Sequence, residues 1–81
     1  MIRIWLASGG FEDFDADSFS FSTADDGRSI VGLLRLWKTD SAQKEPPQVV
    51  AMFAPHGWLA IRDIQGALHE RSDVGFKPPS R

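Results

Sequence analysis

A chain of 81 residues with no cysteine and a net charge of −2 is one domain, and its composition excludes several functions at the outset. By surface scaling, folding buries about 63 % of the unfolded surface, enough for one small core but little for a deep substrate cleft as well. The charge rules out a simple electrostatic grip on nucleic acid, and the lack of thiols rules out a disulfide or thiolate–zinc framework and leans towards a cytoplasmic protein.

With 42 % hydrophobic and 25 % charged residues, six Phe and three Trp, the chain is globular rather than disordered. MIRIWLASGG carries one basic residue and a short apolar run, which reads neither as a signal peptide nor as a membrane span. The same stretch alternates: Ile2, Ile4 and Leu6 share one face and Trp5 lies on the other, which predicts a strand stopped by Ser8-Gly9-Gly10. Phe11 to Asp17 mixes two Phe with four acids and reads as a loop, because Asp is poor in strands and helix interiors. Ser18 to Thr23 alternates Phe and Ser and predicts a half-exposed strand. Asp25-Asp26-Gly27 supplies hairpin-turn chemistry.

Ser29 to Lys38 carries apolar residues on both faces and is read as a central strand. The alternative is a helix over 29–38, giving an α+β fold, with Gly32 costing about 1 kcal/mol in its middle. Thr39 to Gln48, with Pro46-Pro47, reads as an exposed connector.

The anchor of the chain is VVAMFAPHGWLAIRD, Val49 to Asp63. Pro55 suits the second position of a type I turn and Gly57 the fourth, so the two apolar runs that flank them predict a β-hairpin with His56 and Trp58 at its tip. Beyond it, Ile64, Ala67, Leu68 and Arg71 fit a short helix capped by Asp63, in competition with a turn at 64–66 and a last strand over 67–71. The expected organisation is a globular domain over 1–72 and a loose polar tail over 73–81 tacked by Val74 and Phe76. The expected fold is mainly β: four or five short antiparallel strands in a rolled sheet or small open barrel, with a short helix near 64–71 as a plug.

No catalytic or cofactor motif is present. Serines do not occur in a nucleophile pattern, Gly9-Gly10 lacks the rest of a phosphate loop, and His56 and His69 lack metal-ligand spacing. His69-Glu70 is a weak general-base pair, since adjacent side chains point to different faces. Asp13, Asp15 and Asp17 match the first three ligand positions of a calcium loop, but Ser18 and Ala24 stand where Gly and Glu are required. A solvated acidic loop is the plainer reading.

The leading functional expectation is a non-enzymatic protein-binding module without cofactor, metal, nucleic acid or membrane as partner. In its specific form it is a small acidic adaptor or inhibitor docking on a larger assembly, with Glu12, Asp13, Asp15 and Asp17 imitating phosphates. Pro55, His56, Trp58 and Arg62 form its second contact area, Trp58 exposed and Arg62 on the same strand face. Homodimerisation through an exposed strand edge is a further expectation. The alternatives are a ligand-binding or enzymatic subunit using His56 or His69, and weak calcium binding at 13–17.

Overall fold

Seven short strands, all antiparallel, make up the regular structure of the computed structural model, which describes residues 1–42, 44–71 and 73–78. They are β1 (Ile2–Leu6), β2 (Phe11–Phe14), β3 (Ser18–Ser20), β4 (Leu34–Lys38), β5 (Gln48–Phe53), β6 (Trp58–Arg62) and β7 (Leu68–Glu70). They form a four-stranded sheet in the order β2-β1-β6-β7 and a three-stranded sheet in the order β3-β4-β5. The mainly β, antiparallel fold is as expected. The strands are more numerous than the four or five expected, and the two sheets do not close into a barrel. No helix occurs among the described residues, so neither the plug near 64–71 nor the alternative helix at 29–38 forms, and no helix there is long and apolar enough to cross a membrane.

Alternation in β1 works as its residue types demand. Ile2 and Ile4 are fully buried on the inner face, and Trp5 on the outer face is only 4 % exposed. Phe11–Phe14, expected as a loop, is instead strand β2, with Arg3 opposite Asp13 and Trp5 opposite Phe11. The backbone groups of β1 need a partner on that side, and that demand overrides the poor strand preference of Glu12 and Asp13.

Between β2 and β3 the chain crosses from one sheet to the other at Ala16, which is 2 % exposed. The expected strand over 18–23 is regular only to Ser20, after which Thr23 makes an isolated bridge to Ile30. The turn between them is the one foreseen: the Gly27 N–H donates to the Ala24 carbonyl at 2.9 Å, with Gly27 at φ 71°, a conformation only glycine adopts without cost. The expected strand over 29–38 begins only at Leu34, and from there it is central, between β3 and β5.

The hairpin expected over 49–63 does not form. Its turn exists, with the Gly57 N–H donating to the Ala54 carbonyl at 2.9 Å, but β5 and β6 belong to different sheets. Pro55 and Gly57 thus make a corner between layers. The competing reading of 64–71 is the observed one: Asp63–Gly66 turns, with Gly66 at φ 86°, and β7 pairs with β6. Gln43 in the connector, the expected domain limit at Ser72 and the tail end 79–81 lie outside the described residues.

The core lies between the sheets. Ile2, Ile4, Trp58 and Ile61 meet Leu34 and Leu36, and Phe14, Phe19 and Phe53 pack around them. Phe14 and Phe53 join the two layers edge-on, with ring centroids 5.5 Å apart. Burial of each large side chain contributes about 1.5–3 kcal/mol. The folded surface, 5369 Å², exceeds the ~4,900 Å² that scaling gives for this mass, in keeping with flat dimensions of 39 × 32 × 20 Å.

Candidate functional site

The acidic segment is held by its own chain. The Arg3 guanidinium grips Asp13 with both arms, Nε to Oδ1 at 2.8 Å and Nη2 to Oδ2 at 3.1 Å, and this hydrogen bonding holds the Asp13 carboxyl below its usual range. Lys38 Nζ donates to Asp15 at 2.9 Å. Asp17 accepts the Thr39 backbone N–H at 3.0 Å and its hydroxyl at 3.1 Å, and the backbone bond is the main cause of its lowered pKa. Of the four acids only Glu12, exposed on β2, makes no side-chain bond among the described residues. Each Asp faces a different partner, and no group of three metal-ligating side chains converges among the described residues. The strand pairing that puts Arg3 opposite Asp13 is what turns an acidic run into separate ion pairs.

The second contact area is rearranged in the same way. Pro55 and His56 occupy the inter-sheet corner, with His56 exposed. Trp58, expected at an exposed tip, is 1 % exposed and lies in the core. Nor does Arg62 share its face. A register shift opposite Trp5 and Leu6 inserts one residue into β6, so Trp58 turns inward with Ile61 while the Arg62 guanidinium sits 5.7 Å from the Trp5 ring centroid. Trp5, Leu6, Phe11, Leu59 and Phe76 line an outer groove of about 330 Å³ there.

Two polar arrangements had no sequence signal. Asp63 Oδ2 accepts from His69 Nε2 at 2.8 Å while Oδ1 takes the Gln65 and Ala67 N–H groups at 2.9 and 3.0 Å. The carboxylate beside His69 is therefore Asp63, six positions back across the β6–β7 turn, and not Glu70. Arg71, 7 % exposed, donates to Asp73 through Nε at 3.0 Å and Nη2 at 2.8 Å, and through Nη1 to the carbonyls of Pro55 and Trp58. Among the described residues, neither arrangement includes a serine, threonine or cysteine side chain. A cleft of about 140 Å³ lies alongside, lined by Thr23, Arg28, Trp58 and His69 among others.

The feature that stands out is a strand edge. Four strands lie at sheet edges: β2, β7, β3 and β5. β2 carries Glu12 and Asp13, β7 is three residues with Glu70, and β3 is three residues with two serines. Charge and brevity are the usual protections of an edge. β5 has neither: its six residues, QVVAMF, are uncharged, and Val49, Val50 and Met52 are 40, 46 and 57 % exposed. The sequence marks Val49–Ala54 as an apolar run, but only the topology shows that one side of β5 is unpaired among the described residues.

The geometry thus defines a small two-sheet β domain in which β5 is an uncharged edge strand with exposed apolar side chains and a register irregularity opposite Leu36 and Trp37. No protein-family model, no curated protein and no solved structure matches this chain.

Proposed function

We propose that the protein is a non-enzymatic protein-binding module whose docking site is the free edge of β5. The observation that carries this reading is the combination of length, lack of charge and exposed apolar side chains on that strand alone among the four edges. An extended segment from another chain adds to such an edge by backbone hydrogen bonds, and alternate side chains supply selectivity. The acidic-adaptor form of the reading gives way to this one, because Asp13, Asp15 and Asp17 are already bound internally and a mimic needs its carboxylates free.

The test is capture with the tagged chain from its native host, wild type beside Met52→Lys. A chain recovered stoichiometrically by the wild type and lost from the variant supports the reading. The same proteins recovered by both would place the interface elsewhere.

A second reading, a small-anion site, is favoured by one observation: the Trp58 Nε1–H is buried without a partner among the described residues, and Trp58 lines the cleft beside Arg28 and His69. Titration with inorganic phosphate, followed by the NMR signals of the indole N–H and the His69 ring, tests it; unmoved signals would remove it.

A further inference from the structure

We propose that the strand taken up at this edge is β5 of a second copy, so that two three-stranded sheets join into one sheet of six strands across a two-fold axis between Val50 and Ala51. The inference rests on the docking edge proposed above and names its occupant.

Successive residues of an antiparallel strand point their backbone groups alternately to one neighbour and to the other. Two copies of a strand can pair only residues of like kind. In a regular six-residue strand, a two-fold axis at the midpoint sets unlike kinds against each other, and that pairing is forbidden. β5 is not regular. It pairs with β4 as Phe53 to Leu34, Met52 to Arg35 and Ala51 to Leu36, then passes over Val50 and resumes as Val49 to Trp37 and Gln48 to Lys38.

The extra residue reverses the alternation at the midpoint. Gln48 and Phe53 become one kind, and Val49 and Met52 the other. A two-fold axis between Val50 and Ala51 therefore sets Gln48 opposite Phe53 and Val49 opposite Met52 of the second copy, like for like. The irregularity that would shield this edge from a regular strand makes it complementary to itself.

The composition of the strand agrees with that register. Its six residues, QVVAMF, are uncharged, so self-pairing brings no like charges together. Pro47 and Pro55 lie outside it, so no residue without an N–H falls inside the ladder. A two-fold interface of this kind is closed, which limits assembly to two chains. A ladder of six residues is short, so association depends on concentration.

The test uses the full chain, which has no cysteine of its own. Sedimentation velocity over a concentration series should show a monomer–dimer equilibrium in the wild type that Met52→Lys abolishes. Val49→Cys and Met52→Cys, both at exposed positions, should form a mixed disulfide in preference to either homodisulfide when the two variants are combined under mild oxidation, with circular dichroism confirming that each variant folds. A wild type that stays monomeric throughout, or Cys variants that crosslink without preference for the mixed pair, would overturn the second-copy assignment. If that monomer nonetheless loses a captured partner on Met52→Lys, the docking edge stands and takes another chain. If no partner is lost either, both readings fall.

Discussion

The Arg71 guanidinium lies 4.7 Å from the centroid of the Trp58 ring and donates to the Trp58 carbonyl at 2.8 Å. One cation thus covers the face of the largest core side chain and satisfies the backbone that carries it, while Asp73 takes the guanidinium's other side. The side chain of Arg71 is 4 % exposed, and its planar fork fits this set of acceptors in a way a lysine cannot. Arg71→Ala leaves two carbonyls and a carboxylate short of donors and is expected to destabilise the fold by about 3 kcal/mol. Arg71→Lys should recover less than half of the loss. Urea unfolding of the three proteins measures both.

Trp58 belongs to the core, so Trp58→Ala should destabilise by about 3–5 kcal/mol, the cost of emptying a large buried site. His56→Ala, two positions away on the exposed corner, should change stability by less than about 0.5 kcal/mol. Chemical denaturation separates the two. Equal and small effects would mean Trp58 does not fill the core.

Asp63 makes the fold sensitive to acid. Its carboxyl is held below 3.8 chiefly by the His69 hydrogen bond, with the backbone N–H groups of Ala67 and Gln65 adding to it. A depressed carboxyl contributes stability that is fully present above its unfolded pKa and is lost as pH falls through its folded value. Asp13, Asp17, Asp26, Asp40 and Asp73 are shifted the same way, so the thermal midpoint should fall as pH drops below about 3.8. Asp63→Asn should have a lower midpoint than wild type at neutral pH and a shallower acid decline. A wild-type midpoint that stays flat down to pH 2 would contradict this role for the carboxylates.

Calcium should have no effect. Asp13, Asp15 and Asp17 bind Arg3, Lys38 and Thr39 respectively, and a cation would have to displace all three. The thermal midpoint with millimolar calcium should equal that with chelator; a calcium-dependent rise would show that the acids can regroup.

Local patterns in the sequence carry local structure here. The alternation of Ile2, Ile4 and Leu6 marks β1 because period two is the signature of a strand with one buried face. Asp26-Gly27 and Pro55-His56-Gly57 mark their turns because glycine and proline restrict backbone angles whatever surrounds them. The absence of a helix was not legible, since Ile64, Ala67, Leu68 and Arg71 fit both periods; pairing of β7 with β6 and the hold of Asp63 on the turn decide for a strand. β2 was missed for the opposite reason: its composition argues against a strand, and only the unpaired side of β1 makes it one.

The candidate site divides along the same line. The sequence by itself determines that Val49 to Ala54 is an uncharged apolar run ahead of Pro55, and that the acids cluster early in the chain. Tertiary structure alone decides that β5 leaves β6 for another sheet, that Trp58 turns inward and that Asp13, Asp15 and Asp17 are spent on internal partners. The physical reason is that strand pairing is chosen by burial between segments far apart in the chain. Ile2, Ile4 and Ile61 meet Leu34 and Leu36 across the core, a contact that no local pattern specifies.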